Sequence, residues 1–108
     1  MSSSPSRDIR LADNPAESRY EAHVDNRLAG VAEYERRPGR VVFVHTEVAR
    51  EFAGLGLGQR LARFAIEDAR ARSERVIPRC PFIAAWLERH PEFADIVAGR
   101  RPPIGRPG

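Results

Sequence analysis

Apolar and polar side chains alternate along two stretches in the first half of the chain, over residues 19–24 and 28–35. Such alternation is typical of strands with one buried face. The turn pair Asp25-Asn26 separates the two stretches. A Pro-Gly turn follows, and residues 41–44 are then continuously apolar, which predicts a strand buried on both faces. The pattern therefore predicts a three-stranded antiparallel meander.

The periodicity changes after a glycine-rich loop at residues 51–58. Residues 59–72 are good helix formers, and their apolar positions recur every three or four residues. The spacing predicts one long amphipathic helix. Its apolar face comprises Leu57, Leu61, Phe64, Ala65 and Ala69, and the acidic Asp68 interrupts that face without an evident reason.

Shorter elements follow the long helix. Residues 75–77 predict a short strand, which Pro78 ends. Residues 82–89 predict a short helix, because Pro81 is well placed as its first residue. One further turn is expected over residues 92–97.

The two ends of the chain lack periodicity. Residues 1–16 are rich in Ser, Pro and Asp, and residues 99–108 are rich in Arg, Pro and Gly. Both segments are expected to be disordered tails. Residues 17–98 are expected to form a single domain, because 108 residues are enough for one hydrophobic core and too few for two.

The charge distribution argues against a nucleic-acid-binding surface. The sequence pI is about 10.0, but residues 18–98 hold nearly as many acidic as basic side chains. The excess positive charge lies in the C-terminal tail, where three arginines stand without an acid. A broad basic face is therefore not expected, and neither is a nucleic-acid partner.

Three compositional features exclude further classes of protein. All 18 basic residues are Arg, so a P-loop and Schiff-base chemistry, which both need a Lys, are excluded. A single cysteine, Cys80, allows no internal disulfide and suits a reducing compartment, so a cytoplasmic location is expected. No apolar run approaches the roughly 18 residues of a membrane span, and no secretory signal is visible.

The glycine-rich loop is the strongest candidate for a binding site. It carries Gly54, Gly56 and Gly58 between a predicted buried strand and the long helix. Glycines let a backbone approach a phosphate closely, and the free N–H groups at a helix start bind anions. The spacing and the preceding antiparallel strands do not fit a dinucleotide-binding βαβ unit, which argues against NAD.

The loop and three further stretches resemble the GNAT superfamily of N-acetyltransferases, in particular its minimal single-domain subgroup of about a hundred residues. The acyl-CoA motif of that family is Arg or Gln, two residues, Gly, one residue, and Gly or Ala. Residues 53–58 match it, with Ala53 in the first place. The other stretches that carry the resemblance are residues 45–48, 76–82 and 89–93.

The resemblance implies a GNAT-type α/β fold, with a mostly antiparallel mixed sheet and helices packed on it. It implies that acetyl-CoA lies between the central strand and its diverging neighbour. Backbone groups of Thr46, Glu47 and Val48 would pair with the pantetheine arm. N–H groups of the loop would hold the pyrophosphate, and these belong to Ala53, Gly54, Leu55, Gly56, Leu57 and Gly58.

Two departures from the family pattern concern possible side-chain contacts. Ala53 replaces the Arg or Gln that usually opens the motif, so a side-chain contact is lost there. Phe93 stands where the subgroup usually has Tyr, so that position offers no phenolic proton. Arg60 and Arg63, in the first turns of the helix, are candidates for phosphate contacts or for solvated surface positions.

Cys80 and His45 are the candidate catalytic residues. Cys80 precedes a predicted helix and adjoins Arg79, an environment that favours a thiolate able to carry an acetyl group. The alternative is a small buried side chain that lines the acyl pocket. His45 ends the central strand and is a candidate base, with a structural histidine as its alternative, and Glu47 is a second candidate base. His and Cys show no metal-ligand spacing, so no metal is expected.

The sequence therefore predicts an acetyl-CoA-dependent N-acetyltransferase acting on an amine, such as a protein lysine or a polyamine-like molecule. Two alternatives stay open, a non-catalytic acyl-CoA-binding module and an interaction module of the same fold. The residues do not indicate the acceptor or the oligomeric state.

Overall fold

A computed structural model describes residues 8–99 of the chain. Five strands form a single sheet in the order β1-β2-β3-β4-β5. The first four pair antiparallel with their neighbours, and β5 pairs parallel with β4. The elements are β1 (Ile9–Asn14), β2 (Arg19–Val24), β3 (Arg27–Arg37), β4 (Arg40–Val48), α1 (Leu57–Ala71), β5 (Arg75–Pro78) and α2 (Pro81–Glu88). The mixed α/β architecture predicted from the sequence is thus confirmed.

The first strand corrects a prediction. Residues 1–16 were expected to be a disordered tail, but β1 pairs along its whole length with β2, from Ile9 opposite Val24 to Asn14 opposite Arg19. The meander therefore has four strands. The predicted tails at residues 1–7 and 100–108 lie outside the described residues.

The central strand is longer than its apolar run indicates. The sequence predicts a strand over residues 41–44, whereas β4 extends to Val48. A bulge explains the difference: Tyr34 lies opposite Phe43 and Glu33 opposite His45, so Val44 has no partner on β3. The prediction that this strand is buried on both faces holds for residues 41–43, while Val44 is exposed.

Helix α1 packs its apolar face on the meander, as its periodicity predicts. Leu57, Leu61, Ala65 and Ala69 are fully or almost fully buried. They meet the aromatic side chains of the sheet, where the Tyr20 ring lies 5.1 Å from Tyr34 and 6.2 Å from Phe43, measured between centroids. The core thus lies between α1 and one face of the sheet.

Asp68, which interrupts the apolar face of α1, belongs to a polar network at the edge of this core. The Tyr20 hydroxyl donates to its carboxylate at 2.6 Å, and the Arg72 guanidinium donates at 2.9 Å. Arg36 donates to the Tyr20 hydroxyl at 2.8 Å and to Glu74 at 2.7 Å. The network joins α1 to β2, β3 and the segment that leads into β5.

The C-terminal segment closes the open edge of β5. After α2, a 3-10 helix spans Pro91–Ile96, and Val97 then bridges Val76 in parallel. Trp86 is almost fully buried and stacks on the His90 ring with centroids 3.7 Å apart. His90 Nδ1 also lies 2.7 Å from the Trp86 carbonyl, consistent with a helix-terminating role. Among residues 8–99, none of the helices has the length and apolarity that a membrane crossing needs.

Asp68→Asn tests the contribution of the polar network to stability. Burial raises the pKa of Asp68, but the hydrogen bonds from Tyr20 and Arg72 outweigh burial and leave the pKa below its ordinary value. The stabilisation is therefore complete above the unfolded-state pKa and is lost as the pH falls through the folded-state pKa. We expect Asp68→Asn to lower the free energy of unfolding by about 1–2 kcal/mol at pH 7, and by much less in acid.

Urea denaturation at neutral and at acidic pH measures this difference. Glu67→Gln is the matched control, because Glu67 is the neighbouring acid and, among residues 8–99, forms only an exposed i,i+4 pair with Arg63 at 3.3 Å. An equal loss from Asp68→Asn at both pH values would show that the ionised carboxylate is not the source of the stabilisation.

Candidate functional site

Strands β4 and β5 separate partway along the sheet. Their pairing covers Arg40 to Phe43 on β4 and ends at Pro78 on β5. The Phe43 carbonyl then accepts two amides, from Arg79 at 3.0 Å and from Cys80 at 2.9 Å. These bonds turn the chain out of the sheet, so residues 45–48 of β4 pair with β3 alone within the described part of the chain. The result is a notch with an open strand edge.

The register assigns the side chains of this strand end to two faces. Side chains of directly opposed residues lie on the same face of a sheet. Thr46 is opposite Ala32, a fully buried core residue, so Thr46 lies on the face that α1 covers. His45 is opposite Glu33 and therefore lies on the other face. Glu47, two residues along, shares the face of His45.

Cys80 lies on the helix-covered side of the notch. Its side chain is 3% exposed, and its Sγ is 3.4 Å from Thr46 Oγ1. Cys80 is the N-cap residue of α2. The contact with Thr46 was not predicted, because it joins residues 34 positions apart.

His45 lies on the exposed side of the notch. Its Nε2 is 3.2 Å from Glu47 Oε1, and the two side chains are 54% and 71% exposed. The two candidate catalytic residues of the sequence, His45 and Cys80, are thus placed on opposite sides of β4. A reacting group in the notch would lie between them.

The glycine-rich loop follows β4 directly. Gly54 and Gly56 have φ angles of 91° and 72°, and an added Cβ at either position would meet nothing within 4 Å. They are glycines because of their left-handed backbone, not because of a crowded environment. Within residues 8–99, the amides of residues 54–59 donate to no backbone carbonyl, and no side chain caps α1. The loop therefore offers a row of amide donors at a helix N-terminus.

Gly58 has a different reason to be a glycine. A Cβ added there would lie 2.9 Å from the tip of the Phe82 ring. Phe82 belongs to the first turn of α2, two residues after Cys80. Gly58 thus allows the starts of the two helices to pack together, and this links the loop to the cysteine side of the notch.

Arg27 holds the segment that leads into the loop, a role that no local pattern in the sequence predicts. Its guanidinium lies 2.5 Å from Glu51 and 5.2 Å from the centre of the Phe52 ring. Phe52 is buried in the core. These contacts join the start of β3 to the 3-10 turn Arg50–Phe52.

The other residues that the sequence analysis singled out lie on the surface or in the core. Arg63 pairs with Glu67 and lies 5.4 Å from the Trp86 ring centre, so it packs along the helix surface. Arg60 is exposed on the first turns of α1. Ala53 is exposed beside the loop amides, and Phe93 is buried in the core.

The chain is similar to known proteins of one family. A family model for GCN5-related N-acetyl-transferases matches residues 19–96. No curated protein sequence matches the chain significantly. The solution structure of a GCN5-like protein from Staphylococcus aureus, described as a candidate N-acetyltransferase, is 24% identical with a TM-score of 0.63, covering 87% of this chain and 90% of that one.

A crystal structure of a ribosomal-protein-alanine N-acetyltransferase from Brucella melitensis biovar Abortus is 18% identical with a TM-score of 0.50. The match covers 83% of this chain and 67% of that one. Both structures show the same fold, a mostly antiparallel sheet with helices. Since the family model spans most of the sequence, the chain belongs to the GCN5-related N-acetyltransferase family.

Proposed function

We propose that the protein transfers an acetyl group from acetyl-CoA to a primary amine. The observation that carries the proposal is the row of amides at residues 54–59, which lack backbone acceptors and directly follow the open edge of β4. An open strand edge, followed along the chain by an anion-binding loop, suits a ligand that has both an amide-bearing arm and a pyrophosphate.

The cofactor would lie along the notch. Backbone groups of Thr46, Glu47 and Val48 on the open edge would pair with the pantetheine arm. The amides from Gly54 to Gly58 would hold the pyrophosphate. The Ala53 amide, which the sequence analysis also assigned to this group, donates to the Arg50 carbonyl at 3.1 Å instead. This arrangement sets the thioester near the bulge at Val44, between the His45 side and the Cys80 side of β4.

The two sides suit two parts of the reaction. An amine is protonated in water, so it must lose a proton before it attacks a carbonyl. His45, exposed and paired with Glu47 at 3.2 Å, is the proposed acceptor of that proton. On the other side, the Thr46 hydroxyl supports Cys80, whose thiolate attacks the thioester carbonyl. The bond between that carbon and the CoA sulfur breaks, and CoA leaves as a thiolate that takes up a proton.

The second half of the reaction regenerates Cys80. The neutral amine forms a bond to the carbonyl carbon of the acetyl-cysteine, and the carbon–sulfur bond breaks with its electron pair on Sγ. The nitrogen loses its second proton to water, and His45 returns the first one to solvent. The acceptor class that we propose is an alkylamine, either a protein lysine or a small polyamine-like molecule. The single cysteine suits work in the reducing cytoplasm.

A second candidate function is acyl-CoA binding without efficient turnover. Two observations favour it: Ala53 offers no polar side chain at the loop, and Phe93 is buried in the core and carries no hydroxyl. Steady-state release of CoA thiol with a panel of primary amines separates this function from an enzyme.

Gly58→Ala tests the role of the loop in cofactor binding. The added Cβ would strike the Phe82 ring and displace the start of α1 or α2, so we expect acetyl-CoA to bind about three- to tenfold more weakly. Thermal shifts titrated with acetyl-CoA measure the change. Phe82→Leu in the same chain removes the ring tip and should restore most of the affinity. Unchanged binding by Gly58→Ala would contradict this account of the loop.

Cys80→Ala tests the acetyl-carrier role. Intact mass spectrometry after incubation with acetyl-CoA should show one acetyl group on the unaltered protein and none on the variant. Thr46→Val should slow the appearance of the adduct, because the thiolate loses its hydroxyl donor. If the unaltered protein transfers acetyl groups but carries no acetyl adduct, Cys80 is not a carrier and only lines the pocket.

A further inference from the structure

A groove crosses the sheet on the face that carries His45. Its volume is about 270 Å³, and its lining includes Leu28, Val31 and Glu33 of β3, Glu47 of β4, and Arg19 of β2. The groove follows β3 from Leu28 to Glu33, a length of roughly 16 Å at strand spacing. Its acidic end lies beside His45, because Glu33 and His45 are directly opposed.

The charge in the groove is only partly neutralised. Arg19 is opposite Glu33, but its guanidinium donates to Glu21 at 2.8 Å instead. Glu47 pairs with His45. Glu33 is half-buried, and within residues 8–99 its carboxylate forms no hydrogen bond or close ion pair, although it attracts the Arg19 guanidinium at longer range. A partly desolvated carboxylate of this kind is complementary to a cation.

The other end of the groove is apolar. Leu28 is 44% exposed, and it and Val44 are the two large apolar side chains that residues 8–99 expose. Val44 does not line the groove: it is the bulge residue next to His45, at the acidic end. Apolar side chains that line a groove with a carboxylate at one end fit a ligand with a hydrocarbon stem and a cationic head.

We infer that this groove binds the amine acceptor, and that Glu33 selects an alkylammonium group carried on an apolar stem. The inference rests on the acetyl transfer proposed above. The stem lies along Leu28 and Val31, and the charged head lies between Glu33 and Glu47. The acceptor thus approaches the notch from the side of His45, opposite to Cys80.

The chemistry follows from this placement. The ammonium group binds in its charged form and gives one proton to His45. The neutral nitrogen then bonds to the carbonyl carbon of the acetyl thioester, and the carbon–sulfur bond breaks with its electron pair on sulfur. The second proton leaves the nitrogen and neutralises that thiolate through water, while His45 returns its proton to solvent. No other reactant is needed.

Glu33→Gln tests the selection of charge without a change of side-chain size. With n-pentylamine as the acceptor, we expect KM to rise about tenfold, since a charge-assisted hydrogen bond is lost, and kcat to change little. Binding of n-pentylamine to the CoA-saturated protein, measured by NMR titration, should weaken to the same extent. This second readout does not depend on turnover.

Glu35→Gln is the matched control. Glu35 is the next acid on the same face of β3, it pairs with Arg37 at 3.4 Å, and it lies outside the groove. Equal KM and binding values for the two variants would overturn the inference. So would the failure of n-pentylamine to bind the unaltered protein saturably.

Further measurements separate this inference from the proposed function. Weaker binding of n-pentylamine to Glu33→Gln, in a protein that releases no CoA thiol, would support the groove and refute acetyl transfer. If acetyl is transferred to n-pentylamine and Glu33→Gln has no effect, acetyl transfer is supported and the groove is refuted as the acceptor site. A peptide with one internal lysine, compared with free n-pentylamine by kcat/KM, shows whether the stem belongs to a protein or to a small molecule.

Discussion

The carbonyl of Phe43 determines the geometry of the candidate site. It accepts amides from both Arg79 and Cys80, so β5 stops pairing with β4 at that residue. Pro78, the last residue of β5, has no N–H with which to continue a ladder. If β5 ran on beside β4, the edge of residues 44–48 would be covered. Divergence of the two strands therefore exposes the backbone and also sets Cys80 at the start of α2.

A second consequence is that β4 divides the site into two environments. Cys80, the N-cap residue of α2, and Thr46 lie on the buried side. His45 and Glu47 lie on the exposed side, where an imidazole can exchange protons with water. The two-stage transfer proposed above would use Cys80 on one side of β4 and His45 on the other.

The sequence predicted the elements whose signal is local, and it missed those that depend on distant partners. The period of α1 and the turn at Asp25 are local, and both are present in the structure. By contrast, β1 was missed because Ile9 and Leu11 are just two large apolar positions, too few to predict a strand without β2 beside it. In β4 the apolar run ends at the bulge residue Val44, and the family resemblance rather than the periodicity indicated that residues 45–48 close the strand. Asp68 was unexplained because its partner, Tyr20, is 48 positions away.

If the acceptor is an alkylammonium, the absence of lysine from the sequence has a chemical explanation. An open groove with a carboxylate would also receive lysine side chains of neighbouring copies, and each would be a substrate. Arg carries the same charge, but its guanidinium stays protonated and is not a nucleophile. A chain with 18 Arg and no Lys therefore keeps its ion pairs, such as Arg36 with Glu74, while presenting no lysine amine to its own site.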